Sequence, residues 1–71
     1  MSEEVLAEMV ANVWKIVVSE GDAISEGDTI CILESMKMEI PVEATASGTV
    51  SSLNVKEGGV VQEGDVIATI D

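Results

Sequence analysis

Residues 20–28 read Glu20-Gly21-Asp22-Ala23-Ile24-Ser25-Glu26-Gly27-Asp28, and residues 57–65 read Glu57-Gly58-Gly59-Val60-Val61-Gln62-Glu63-Gly64-Asp65. The second stretch repeats the first at an offset of 37 residues, and that offset aligns the rest of the chain without a gap. It pairs Val5 with Val42, Ala7 with Ala44, Val13 with Val50, Val18 with Val55 and Ile30 with Ile67. Eleven of the 34 available pairs are identical. Conservative matches keep the spacing: Ile16 with Leu53, Ile24 with Val61, Leu33 with Ile70. Such self-similarity predicts two like half-domains related by a pseudo-two-fold axis.

The apolar residues say what the halves are made of. Val and Ile together number eighteen, against three Leu. Branched β-carbons suit pleated strands and lose side-chain freedom in helices. Gly21, Gly27, Gly48, Gly58 and Gly64 are read as structural turn positions, with Asp beside several of them. The pattern predicts an all-β chain with strands near 4–10, 12–19, 23–24, 29–34, 39–45, 49–55, 60–61 and 66–70. One half cannot cover its own apolar face. Two halves packed together give a flattened sandwich or barrel, a single domain over residues 1–71.

Composition narrows the function. A chain of 7.4 kDa has room for one thin core, with roughly 4,200 Å² of folded surface. A supported catalytic cleft is hard to build at this size, so a carrier or binding module is expected rather than an enzyme. The chain has no His, so histidine base catalysis and histidine-ligated metal sites are excluded. Cys31 is the only cysteine and is read as a small core residue; no metal site is expected. Trp14, the only aromatic, is read as a partly buried core or edge anchor, with a partner-binding role as the alternative, and leaves no stacking platform for nucleic acid. Fourteen acids against three lysines give a net charge of −11, which repels phosphate backbones and anionic lipid. The opening Met1-Ser2-Glu3-Glu4 is not a basic signal start, and no apolar run reaches membrane-spanning length. A cytoplasmic location, with neither nucleic acid nor membrane as partner, is the expectation.

The chemistry concentrates between the repeats. Residues 28–45 alternate cleanly on the return side: Ile40, Val42 and Ala44 one way, Pro41, Glu43 and Thr45 the other. Pro41 cannot donate to a ladder, which predicts an edge strand. The reversal then falls at Met36-Lys37, with Glu34 and Glu39 opposed across it. Neither residue is the Asn-Gly or Gly expected of a two-residue hairpin turn. Positive φ at both costs about 1 kcal/mol each. A local rule broken at an exposed tip marks side chains kept for another purpose. The residues alone leave two readings. Met36 and Met38 fold back onto the core beside an ordinary surface lysine, or they flank a lysine presented to a partner. The repeat also puts Lys37 at one pole, because Glu34 maps onto Asp71 and the second half stops there. Lys15 and Lys56 are read as solvated surface charges.

Glu34-Ser35-Met36-Lys37-Met38 resembles the attachment motif of biotinyl domains, Glu-Ala/Ser-Met-Lys-Met. The likeness extends to Gly27-Asp28, to Ser47-Gly48-Thr49-Val50 and to Glu57-Gly58 through Glu63-Gly64-Asp65, so it covers essentially the whole chain. The chain is most similar to small free-standing biotin/lipoyl attachment proteins of the biotin carboxyl carrier type. That family folds as a barrel-sandwich hybrid, two antiparallel four-stranded sheets with quasi-two-fold symmetry. Where many members begin with a Pro-Met-x-Gly stretch this chain has Met9-Val10-Ala11-Asn12, which bears on the first strand. Some carriers insert a thumb in the first half; the ungapped offset leaves no room for one.

The resemblance implies a function. Lys37 becomes biotinyl-lysine through a biotin protein ligase, with Glu34, Ser35, Met36, Met38 and Glu39 as recognition residues of the hairpin. The tethered biotin then carries CO2, as carboxybiotin, from biotin carboxylase to carboxyltransferase. The chain itself would be a non-catalytic carrier, monomeric in isolation. An amine in water is overwhelmingly protonated at neutral pH, with a pKa of about 10.4, so it needs an outside enzyme to acylate it. Lipoate is the alternative cofactor, since lipoyl domains share the fold and the tip lysine; they carry Asp before it and Ala after it. Dual biotin/lipoyl modification, or an unmodified scaffold subunit, complete the alternatives.

Overall fold

The computed structural model describes residues 2–71; Met1, the first residue of the expected domain and of its acidic opening, lies outside them. Eight strands follow in order: β1 (Glu3–Leu6), β2 (Ala11–Ile16), β3 (Ala23–Ile24), β4 (Thr29–Ser35), β5 (Met38–Glu43), β6 (Gly48–Leu53), β7 (Val60–Val61) and β8 (Val66–Ile70). They form two antiparallel four-stranded sheets, ordered β1-β8-β6-β3 and β5-β4-β2-β7. The offset of 37 carries β1 onto β5, β2 onto β6, β3 onto β7 and β4 onto β8, so the pseudo-dyad exchanges the sheets.

The dyad holds at the level of single hydrogen bonds. Ala7 N donates to Asp65 O and Gly64 N to Ala7 O; Ala44 N donates to Asp28 O and Gly27 N to Ala44 O. Val13 trades bonds with Gly58 and Gly59 as Val50 does with Gly21 and Asp22. Each half therefore ties its strands to the turns of the other. The Glu57 carboxylate accepts from Ile16 N at 3.0 Å, and the Glu20 carboxylate accepts from Leu53 N at 2.9 Å.

These cross-ties explain where the expected strands are shortened. The first was expected to reach residue 10 and ends at Leu6, because the Ala7 backbone turns to the 64–65 turn. The Ala44 backbone does the same at 27–28, so β5 ends at Glu43 and not at 45. The second and sixth strands, expected over 12–19 and 49–55, run 11–16 and 48–53; beyond them Val17 N and Asn54 N each make one further bond, to Ile30 O and Ile67 O.

Burial follows the same symmetry. Ile30 and Ile67, Cys31 and Ala68, Leu33 and Ile70, Val13 and Val50, and Ile24 and Val61 are buried in pairs between the sheets. No buried polar side chain occurs among the described residues. The accessible surface is 4435 Å², close to the value expected for the mass. Gly21, Gly27, Gly58 and Gly64 all adopt φ between 86° and 94°, the left-handed region. Gly48 has a second constraint: a Cβ there would overlap the Asp71 carbonyl oxygen. Its symmetry mate Ala11 is buried without such a conflict. At that end Ser2 Oγ donates to the Asp71 carboxylate at 2.6 Å, in the place that Glu34 and Glu39 hold at the other. The described termini and the β4–β5 hairpin thus occupy dyad-related ends of a molecule 33 Å long and 19 × 18 Å across. No helix among the described residues is long and apolar enough to cross a membrane.

Candidate functional site

Strands β4 and β5 pair in the register Leu33↔Ile40, Glu34↔Glu39 and Ser35↔Met38. Leu33 and Ile40 point inward and fix the alternation, which sends Glu34 and Glu39 to the outer face. Pairing leaves only Met36 and Lys37 for the loop. Their φ values are 54° and 66°, both left-handed, the signature of a type I′ turn. That turn matches the twist of the flanking strands, so the strands supply what the two side chains resist. Pro41 lies on β5, an edge strand, where no ladder bond is lost.

The tip carries no fold-back onto the core. Met36 is 92% exposed and Met38 64%, and Lys37 between them is exposed. This removes the reading in which the methionines pack inward. Glu34 and Ser35 are half-buried on β4, and Glu39 is exposed on β5. All the motif residues from 34 to 39 therefore sit on one hairpin, with the amine at its end. Lys15 and Lys56 are exposed too, but Lys15 lies within β2 opposite Ile32, and Lys56 lies in the connection from β6 to β7. Lys56 opens the 56–59 turn, where Gly59 N donates to its carbonyl, but neither residue is in the loop of a paired hairpin.

Cys31 is fully buried, and burial pushes its thiol up to about 11 from 9.0. It is a core side chain and not a nucleophile. Trp14 is partly buried, as its reading expects, but it is not on a sheet edge. It is half-exposed on β2, an interior strand, at a bulge where the ladder to β4 slips between Val13 and Lys15. The signal was present in the sequence: Val13 and its mate Val50 both point inward, which turns Trp14 outward. The cross-half role of Glu20 and Glu57 went unseen, because no local pattern links a carboxylate to an amide 33 or 41 residues away.

The arrangement can present an amine for acylation by another protein. The Biotin_lipoyl family model, described as "Biotin-requiring enzyme", matches residues 3–70. A biotinylated protein TB7.3 homolog of Mycobacterium leprae is 57% identical over 70 residues, covering 99% of each chain. A biotin/lipoyl attachment protein of Bacillus subtilis is 52% identical over 60 residues, covering 84% of this chain and 82% of that one. Among solved structures, the urea carboxylase of Kluyveromyces lactis superposes on all of this chain with a TM-score of 0.93 at 38% identity. The match takes up 6% of the carboxylase. With the sheets, the hairpin and the tip lysine in the arrangement the motif calls for, the chain belongs to the biotin/lipoyl attachment family.

Proposed function

We propose that this chain is a biotin carrier and that Lys37 is its attachment residue. The observation that carries the reading is the type I′ turn, which holds Lys37 at the end of a hairpin between two exposed methionines. The group fits the residues present. Biotin is joined through its carboxyl carbon, so the only donor required is an amine that another enzyme can reach, and Lys37 Nζ meets that demand.

In the attachment step a biotin protein ligase covers the tip and takes a proton from the ammonium. Lys37 Nζ then attacks the carbonyl of a biotinyl-adenylate. The new C–N amide bond forms, the acyl–phosphate C–O bond breaks, AMP leaves, and the nitrogen loses a second proton. Glu34 and Glu39 orient the hairpin for the ligase, and Met36 and Met38 give it soft, adaptable contacts. Once attached, biotin supplies a ureido nitrogen that takes up and releases a carboxyl group. The chain contributes placement: a compact body and a lysine stem keep that nitrogen local to its enzymes at roughly millimolar effective concentration.

The partners of this reading are the ligase, a biotin carboxylase and a carboxyltransferase, with the chain acting as their carrier subunit, monomeric on its own and cytoplasmic. The occurrence of the same fold within a urea carboxylase supports that class of partner. Met36 and Met38 favour biotin over lipoate, while the name of the Bacillus relative keeps dual modification in view. Incubation with purified biotin protein ligase, biotin and ATP, followed by a streptavidin blot, tests the assignment. Wild type labels, and Lys37→Arg does not. Undiminished labelling of Lys37→Arg overturns it.

A further inference from the structure

The pseudo-dyad provides an internal control. Both sheets have an outer face built on the same backbone in the same register. On the β5-β4-β2-β7 sheet, Ile32 pairs with Pro41 on one side and Lys15 on the other, with Trp14 in the adjacent bulge. On the β1-β8-β6-β3 sheet, Thr69 pairs with Glu4 and Ser52, with Ser51 in the matching bulge. Val60, paired with Asn12, corresponds to Ala23, paired with Thr49. So Trp14, Lys15, Ile32, Pro41 and Val60 stand where the other face has Ser51, Ser52, Thr69, Glu4 and Ala23.

Folding alone does not call for this difference, since the second face shows that the backbone accepts hydroxyls at three of these positions, an acid at the fourth and an alanine at the fifth. Trp14 is 50% exposed and Val60 63%, a standing cost in a chain this small. The apolar face also belongs to the sheet that carries the β4–β5 hairpin. At about 3.3 Å per residue, Pro41 and Ile32 lie roughly 13–17 Å from Lys37 along their strands. A standard interface of about 800 Å² per partner is roughly 30 Å across, enough to cover tip and face together.

We propose that this face is the docking platform for the enzyme that acylates Lys37, with Trp14 as its anchor. The inference rests on the attachment reading above. The occupant is a ligase surface that offers an apolar spot to Trp14, Ile32 and Pro41 and a rim of Lys or Arg to the acids around them. Glu34, Glu39 and Glu43 edge the same sheet, and the chain as a whole carries −11. Complementary charge of that kind speeds encounter, while a desolvated aromatic holds the complex. The platform residues position the hairpin and touch no reacting atom, so their loss weakens binding and leaves the chemical step unchanged.

The test replaces the face with its own symmetry mate. Trp14→Ser, Ile32→Thr and Pro41→Glu, singly and together, bring in residues the fold already carries at equivalent sites. Steady-state biotinylation by purified ligase is the readout. The proposal expects the triple variant to raise the KM for the carrier at least about tenfold, as loss of an anchoring aromatic does, with kcat unchanged. Trp14→Phe recovers part of the loss, Thr49→Ala on the other face changes nothing, and wild-type KM rises with salt. A fluorotryptophan label at Trp14 reports directly, without any variant: its fluorine resonance shifts or broadens when ligase is added. An unchanged KM in the triple variant, or a fluorine signal indifferent to ligase, overturns the proposal. So does sedimentation of wild type as a dimer that the triple variant breaks, since a second copy is then the occupant. If wild type takes no biotin on Lys37, the attachment reading itself fails, a result distinct from normal labelling with an unaffected triple variant.

Discussion

At residue 37 the side chain and the backbone want different things. A lysine and a methionine in the left-handed region pay a conformational cost that Asn-Gly avoids at a type I′ turn. The double variant Met36→Asn, Lys37→Gly should therefore be more stable by about 1 to 2 kcal/mol in chemical denaturation and accept no biotin. A variant no more stable than wild type removes the argument that these residues are kept for function. Cys31 gives a second prediction. Its folded thiol is raised to about 11 from 9.0, so the native state holds that proton more tightly than the unfolded chain. Stability from this group is complete below pH 9.0 and is lost as the pH rises towards about 11. Cys31→Ala places there the residue that the second half has at Ala68. Between those pH values wild type should lose unfolding free energy relative to Cys31→Ala.

At the scale of elements, the hairpin was open to sequence reasoning and the strand ends were not. Alternation of Ile40, Val42 and Ala44 fixed which face was inward, and with it the opposition of Glu34 and Glu39, because a strand has only two faces. The motif around Lys37 was legible for the same reason: a hairpin end is defined by its own few residues. The end of β1 at Leu6 depends instead on Ala7 meeting Asp65, a partner far along the chain. The partial burial of Trp14 was legible, but its place on an interior strand was not, because that is decided by β4 and β7 pairing on either side of β2. The carboxylates of Glu20 and Glu57 likewise act on strands of the opposite half. Glu20→Ala and Glu57→Ala should each destabilise the fold by about 1 kcal/mol, through an unpaired strand amide, in thermal or urea unfolding. A neutral result for both means those bonds are replaced by water at no cost.

The whole molecule is one core shared by two halves. Ile30 and Ile67 are both fully buried at dyad-related positions. Ile30→Ala and Ile67→Ala should each cost about 2–5 kcal/mol, with values within about 1 kcal/mol of each other, and each should unfold the protein in a single transition. Widely different costs would mean that one half folds without the other. That shared rigidity is what keeps a single amine at the end of the body, and the net charge of −11 makes such bodies repel one another. The most direct test is intact and peptide mass spectrometry of wild-type protein after incubation with a biotin ligase and a lipoate ligase, each with its cofactor and ATP. A gain of one biotinyl group, mapped to the peptide that contains Lys37, is the result this account predicts. A lipoyl group alone, a biotinyl group on Lys15 or Lys56, or no modification at all would contradict it.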